Sequence, residues 1–405
     1  MEIIQQNKLV LFGAGKIGRS FIGQLFSLGG YEVAFIDINK QVIDELNRKG
    51  NYKVIIKSNK EEILNINNVR GVYADDNQNV VYEVATAGII AVSVGSDGLE
   101  SIFPLLAKGL LKRYEIDSNY ALDIIIAENM RNAEIYFHLH LKKLLPKIYP
   151  LDKLVGLIET SIGKMVPIMQ KKDTQENILQ IFAEPYNTLI LNKKGFRNPI
   201  PDVKGLAPKE NMKAWVDRKL FIHNLGHSAA AYVGYLHNPG VVYLYEALAV
   251  PKVFNYVRET MLQAADILLD KYPDEFTLSQ LTEHIDDLLF RFQNKALGDT
   301  IFRVGCDLMR KLGPQDRLAG AIKAALEFNL PYEKILYALV CGCHFSAKDE
   351  DGKMLKGDLK FVKFYKKGIK SILTMLCGFD EIQNSKLYEE AEAIDSQLRN
   401  LKTKT

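Results

Sequence analysis

The sequence predicts an α/β first half followed by a mostly α-helical second half. Three observations carry that expectation. Short apolar runs alternate with helical apolar spacing through the first half, a glycine-rich turn follows the first run directly, and spacings of three and four take over from Glu210 onward. At 405 residues the chain exceeds what one core usually serves, so two domains are expected, residues 1–200 and 201–405.

Lys8 to Phe12 (K-L-V-L-F) reads as a buried parallel strand. It leads into Gly13-Ala14-Gly15-Lys16-Ile17-Gly18, a G-x-G-x-x-G string. Phe21, Ile22, Leu25 and Phe26 mark a helix over Arg19 to Leu28, and a second strand from Tyr31 to Ile36 ends at Asp37. Strand, glycine turn, helix, strand and acid follow the order of a Rossmann-type dinucleotide-binding unit. Gly13 permits the tight turn, Gly15 lets the backbone approach a pyrophosphate, and Gly18 lets the helix pack close to the strand. The helix start offers N–H donors and a partial positive charge to phosphates. Asp37 is placed to accept both adenosine ribose hydroxyls and to repel a 2′-phosphate, so NAD is expected over NADP.

Asn51 to Lys57 reads as a further strand, and Ala87 to Val94 as a strong one that ends at Gly95. A helix follows from Gly98 to Lys112, with Leu99, Ile102, Leu105, Leu106 and Leu110 facing inward. Asp123 to Ala127 is another buried strand, ending at Glu128-Asn129. Open α/β sheets bind ligands beyond the carboxyl ends of their strands, so Val94, Gly95 and Asn129 point to a cofactor crevice. Asn129 reads equally as a helix N-cap. Leu154 to Glu159 and Leu179 to Leu191 are expected to extend the sheet. Asn192 to Lys209, with four lysines and an arginine among three prolines, reads as the domain junction.

Beyond Glu210 the helical segments are Asn211 to Leu236, Val242 to Leu248, Val253 to Leu269, Thr277 to Phe292, Asp316 to Phe328, Tyr332 to Phe345, Leu359 to Leu376 and Glu381 to Leu401. Lys348 to Lys356 and the tail from Lys402 to Thr405 read as solvated surface. The first segment contains Lys219 to His227 (K-L-F-I-H-N-L-G-H), which places an amine, a carboxamide and an imidazole at offsets of five and eight. On a regular helix Lys219, His227 and Asn224 would project at about 0°, 80° and 140°, so one broad face carries all three. Two readings fit: a set for proton chemistry on a hydroxyl, or an amphipathic helix with a solvated lysine.

Lys plus Arg number 52 against 49 Asp plus Glu, a balance that gives no nucleic-acid footprint. No basic and apolar leader opens the chain and no apolar run approaches a membrane span, so a cytoplasmic protein is expected. Cys306, Cys341, Cys343 and Cys377 are too few for a disulfide framework. Cys341-Gly342-Cys343-His344 lacks a second ligand cluster, and buried free thiols with no metal are expected.

F-G-A-G-K-I-G-R, S-V-G at Ser93 to Gly95, A-K-G-L at Ala107 to Leu110, A-E-N-M at Ala127 to Met130, K-L-F-I-H-N-L-G-H, and G-D-T-I-F-R-V-G with R-K-L and D-R-L within Gly298 to Leu318 occur in one order. In that order the chain resembles the polyol-specific long-chain dehydrogenases, the mannitol dehydrogenase family, over nearly its whole length. The resemblance implies a Rossmann-type NAD-binding domain, a helical substrate domain, an active site between them and no catalytic metal. It also implies hydride transfer between NAD and a secondary alcohol or ketone of a linear sugar derivative. Lys219 would then be the general acid and base, Asn129 and Asn224 amide donors to the reacting oxygen, and His227 the group that orients substrate and tunes the lysine. Two departures stand out: Cys306 occupies a position where the family pattern has a basic residue, and the chain continues from Lys363 to Thr405 where several relatives are shorter.

Three functions compete on this reading. The first is NAD-dependent interconversion of mannitol 1-phosphate and fructose 6-phosphate, and the second is a sister reaction on an unphosphorylated polyol or a hexuronate such as tagaturonate or fructuronate. The third is a nucleotide-binding protein without turnover. Lys164, Arg197, Lys204, Lys213, Arg303 and Arg310 are candidate phosphate partners, and each also reads as ordinary surface or structural charge. The expected partner is a small-molecule sugar phosphate or polyol, with no nucleic acid or membrane, and the protein a monomer or weak homo-oligomer.

Overall fold

A computed structural model describes residues 3–58, 60–169, 171–175 and 177–402. The chain divides into two compact units, Met1–Val216 and Asp217–Thr405. From residue 403 on, the tail expected to be solvated lies outside the described residues.

The first unit is a Rossmann-type α/β domain. β1 (Gln5–Phe12) is followed by α1, which opens as a π-helical stretch (Gly18–Gly23) and continues as α-helix (Gln24–Leu28). β2 (Glu32–Asp37), α2 (Lys40–Lys49), β3 (Asn51–Ile56), β4 (Glu62–Asn67), β5 (Val69–Tyr73) and α3 (Asn77–Thr86) come next. β6 (Ala87–Val92), α4 (Leu99–Ile116), β7 (Leu122–Ile126), α5 (Ala133–Leu144) and β8 (Val155–Ser161) complete the alternation, and β9 (Ile181–Ala183), β10 (Leu189–Asn192) and β11 (Leu206–Lys209) close the unit.

Eight strands form one sheet in the order β11-β10-β8-β7-β6-β1-β2-β5. From β8 to β5 every neighbour is parallel, while β10 runs antiparallel to β8. Successive strand residues point to opposite faces. Leu9 and Leu11 therefore enter a core with Phe21, Phe35 and Leu191, while Val10 and Phe12 enter another with Leu106, Leu110 and Phe137. A sheet buried on both faces explains the unbroken apolar runs.

Three expectations need correcting. Leu179 to Leu191 is not one extension of the sheet: β9 pairs with β3 in a separate sheet of order β4-β3-β9, and β10 alone joins the large sheet. Asn192 to Lys209 is no free junction, because β11 pairs with β10 from Leu189↔Leu206 to Asn192↔Lys209. In the second unit, Leu359 to Leu376 is broken into Lys356–Tyr365 and a later turn beginning at Ile369, with Gly368 at φ 95° between them. That conformation favours glycine and ends a helix.

The second unit is helical, with the isolated bridge Tyr243↔Thr300 as its strand-like pairing among the described residues. Its central helix, Leu225–His237, is buried over most of its length. Small residues make that possible: a Cβ on Gly226 would meet Met261 Sδ at 2.5 Å, and one on Gly234 would meet the Ala247 Cβ at 2.6 Å. Helices Pro251–Lys271, Leu278–Phe292, Ala319–Glu327, Glu333–Cys343 and Ser385–Lys402 make up most of the rest. Among the described residues no helix is long and apolar enough to cross a membrane.

Candidate active site

In the first unit the glycine turn is built by close backbone contact. Gly13 has φ 98°, and a Cβ there would lie 2.4 Å from the Ser93 carbonyl oxygen. A Cβ on Gly18 would lie 2.0 Å from the Gly13 carbonyl oxygen, so the helix sits directly on the turn. Gly15 differs from both, since nothing lies within 4 Å of the place its Cβ would take. Buried Arg19 holds the turn from beneath, its Nε donating to the Ala14 carbonyl at 2.7 Å and its Nη1 to the Ile178 carbonyl at 3.0 Å.

Asp37, the last residue of β2, closes the turn from the side. Its Oδ2 accepts the Ala14 N–H at 2.6 Å and its Oδ1 the Asn39 N–H at 2.8 Å. Each oxygen retains acceptor capacity. An open backbone at Gly15, a helix start behind it and a carboxylate at the end of β2 fit the pyrophosphate and ribose of a dinucleotide. Ala14 is buried, Ile17 half-buried and Lys16 exposed on this turn.

Two further loops leave the carboxyl ends of β6 and β7. The Ser93 N–H donates to the Phe12 carbonyl at 2.8 Å, and Gly95 takes φ 79°. The Gly95 N–H donates to Glu128 Oε1 at 2.8 Å, which ties the Val94–Gly95 loop to the loop that carries Asn129. Burial raises the Glu128 carboxyl above its ordinary range, against the N–H groups of Gly95 and Val94. Glu128 was not anticipated as a site residue, although A-E-N-M contained it.

In the second unit Lys219 to Asn224 forms a π turn where a regular helix was expected. An added residue per turn sets the phase back by about 100°, which brings His227 roughly into line with Lys219 and Asn224 to within about 40°. The turn thus narrows the broad face to a tight one. Lys219 is partly buried, and burial together with the nearby Arg317 guanidinium lowers its amine from the ordinary 10.5 to about 8. Arg317 reaches the same segment directly: its Nη1 donates to the Asn224 carbonyl and to Ser228 Oγ, each at 3.3 Å, while Asp316 accepts from its Nε at 2.8 Å.

His227 is held by two contacts. Its ring stacks on Phe292 with centroids 4.6 Å apart and planes 11° apart, and its Nε2 lies 3.1 Å from Asp299 Oδ2. Burial first, then the charges of Arg303, Lys311, Arg317 and Arg291, hold its pKa well below the usual histidine range. Asp299 also forms an ion pair with Arg303. The ring is therefore neutral, and with Nε2–H donating to Asp299 its Nδ1 is an acceptor. Lys311 donates to the Val304 carbonyl at 2.6 Å, and burial followed by Arg317 lowers its amine to about 8.

The expected site residues fall into two sets. Gly13, Ala14, Gly15, Lys16, Ile17, Gly18, Asp37, Val94, Gly95 and Asn129 belong to the first unit, and Lys219, Asn224 and His227 to the second. Of the six phosphate candidates, Arg303 is among the cations felt at His227, whereas Arg310 is paired with Asp307 and Asp316, and Lys164 donates to Asn187. Asp299, Lys311 and Arg317 were missed, though G-D-T-I-F-R-V-G, R-K-L and D-R-L held all three. Cys306 is half-buried and its thiol pushed up by burial, while the other three cysteines are buried and unbridged.

Residues 7–205 match the family described as mannitol dehydrogenase Rossmann domain, and residues 211–398 the one described as mannitol dehydrogenase C-terminal domain. The chain is 31% identical over 375 residues to a mannitol-1-phosphate 5-dehydrogenase of Buchnera aphidicola subsp. Baizongia pistaciae (strain Bp), covering 91% of this chain and 93% of that protein. Its fold is similar to a substrate-free D-sorbitol dehydrogenase (TM-score 0.80, 16% identity, 98% of this chain and 94% of that one). It is also similar to Pseudomonas fluorescens mannitol 2-dehydrogenase in a ternary complex with NAD and D-mannitol (TM-score 0.74, 15% identity, 98% and 92%).

Proposed function

The chain belongs to the mannitol dehydrogenase family, and from that premise we propose that it is an NAD-dependent oxidoreductase interconverting mannitol 1-phosphate and fructose 6-phosphate. The observation that carries the chemistry is Lys219, an amine whose pKa is lowered to about 8 beside a guanidinium, in a π turn whose phase puts it on one face with Asn224 and His227. A lysine so tuned is a base or an acid near neutral pH, as a proton transfer to or from a sugar hydroxyl requires.

A bound nicotinamide dinucleotide supplies the hydride acceptor or donor. Gly13 to Gly18, Val94, Gly95 and Asp37 hold it, and the Asp37 carboxylate selects NAD by disfavouring a 2′-phosphate. In alcohol oxidation the neutral Lys219 takes the hydroxyl proton, and in ketone reduction its ammonium returns it. The amides of Asn129 and Asn224 are donors of the kind that suits the oxygen that changes between alcohol and ketone, since an amide does not compete for its proton. Neutral His227 accepts a substrate hydroxyl at Nδ1 while Asp299 fixes the ring from the other side.

Two observations favour a phosphorylated substrate. The likeness to the Buchnera enzyme covers nearly the whole chain, and Arg303, Lys311 and Arg317 converge on the His227 segment, where they suit an anionic substrate group. A hexuronate carboxylate is the second reading supported by the same cations. NADH oxidation with fructose 6-phosphate, fructose, tagaturonate and fructuronate decides between them. Turnover of fructose 6-phosphate alone supports the proposal, and turnover of the others in its place overturns it. Tight NADH binding with no oxidation of any of the four would leave a binding protein.

A further inference from the structure

The loop that carries Asn129 is strung between two buried carboxylates. At its start, Glu128 Oε1 accepts the Gly95 N–H at 2.8 Å, across from the next strand. At its end, Glu159 on β8 accepts the Ala133 N–H at 3.5 Å, where α5 begins. That helix has no side-chain cap of its own, and its N-cap residue Asn132 stands at φ 54°, a left-handed conformation that needs holding. Beneath the loop Thr160 Oγ1 donates to the Ile126 carbonyl at 2.8 Å, and Ile126 pairs with Glu159, so β7 and β8 are in fixed register there.

We propose that Glu128 and Glu159 are positioning residues that grip the Asn129 loop from both ends and so set the aim of the Asn129 amide. The proposal rests on the reading that Asn129 serves the reacting oxygen. It separates the two acids by what they touch. Glu128 joins the loop to Val94–Gly95 and so couples it to dinucleotide binding, whereas Glu159 holds the far end and bears on turnover.

Glu159 also makes the grip responsive to pH. Burial, then the Glu134 carboxylate at the start of α5, raises Glu159 to about 7, against the N–H groups of Ala133 and Asn132 and the charge of Arg131. Ionised, it is a strong acceptor for the N–H groups at the start of α5, and protonation weakens that hold. In the reductive direction Lys219 must be protonated, so turnover reaches its full value below about 8 and then falls as Glu159 takes up a proton below about 7.

The test is a double-variant cycle on the full chain, following NADH oxidation with the ketose that the four-substrate panel identifies. Glu159→Gln is expected to lower kcat roughly tenfold, to leave the NADH Kd within twofold and to abolish the acid limb. In an Asn129→Ala background the same change is expected to lower kcat less than twofold further. Glu128→Gln is expected to raise the NADH Kd severalfold as well as lowering kcat. Glu134→Gln, which leaves the grip in place, should shift the acid limb to lower pH. An equal tenfold loss in both backgrounds, or a limb that Glu134→Gln does not move, overturns the proposal while the role of Asn129 stands. If Asn129→Ala alone turns over like the wild type, the reading of Asn129 falls and the proposal with it.

Discussion

His227 Nε2 and Asp299 Oδ2 lie 3.1 Å apart, and this pairing leaves Nδ1 as the ring's free acceptor when the imidazole is neutral. Seventy-two residues separate the partners, so the contact belongs to the fold of the helical unit and to no local motif. Asp299→Asn removes the charge that orients the ring and leaves Arg303 without its acid. We expect kcat/KM to fall about tenfold or more, equivalent to about 1.4 kcal/mol, with NADH affinity unchanged. A steady-state comparison in which only KM for NADH moves would contradict this role.

Lys219→Met should abolish most turnover. Loss of a general acid and base typically lowers the rate by roughly 10²- to 10⁴-fold. Stopped-flow turnover near wild type would remove Lys219 from the mechanism. NADH titration by fluorescence should give nearly the wild-type Kd.

The proposed role of the same lysine predicts opposite pH dependences for the two directions. Oxidation needs the neutral amine, so its rate should rise as pH climbs through about 8, and reduction needs the ammonium, so its rate should decline over the same interval. Rates that move in the same sense for both directions would be incompatible with proton transfer by Lys219.

Gly15→Ala and Gly18→Ala should behave differently although both lie in one turn. Space is open at Gly15, so its alanine variant should keep the wild-type Tm while NADH binding weakens as the new methyl intrudes on the phosphate path. At Gly18 the methyl meets the Gly13 carbonyl, and that variant should lose several degrees of Tm as well as NADH binding. Equal Tm losses in the two variants would show that Gly15 is a structural glycine.

Asp37→Ser should raise the ratio of NADPH to NADH turnover, since a neutral side chain no longer repels a 2′-phosphate. Because Asp37 also binds the Ala14 N–H, some NADH affinity should be lost too. A wild-type preference for NADPH would already refute the assignment.

These tests divide along the line between what was legible in the sequence and what was not. The glycine turn, Asp37 and the Lys219 segment were readable because each lies in a short continuous string whose chemistry follows from spacing. Asp299, Lys311 and Arg317 were not, because their meaning depends on packing of distant helices around His227. The π turn escaped for a similar reason. Apolar spacing in K-L-F-I-H-N-L-G-H suits a regular helix, and nothing in that spacing marks the residue that is looped in. Residues 192–209 misled through composition: prolines and lysines suggest a linker, yet prolines suit an edge strand such as β11, where Pro208 pairs with Leu191.

The small sheet has a consequence for synthesis of the chain. Val54 of β3 pairs with Ile181 of β9, so one edge of the β3–β4 hairpin stays open until a much later segment has emerged. That interval leaves Val54, Ile55 and Ile56 as an exposed apolar edge, the kind of surface that recruits other unfinished chains. Fragments that stop before Ile181 should therefore aggregate, and the yield of folded protein should depend on how quickly translation delivers β9.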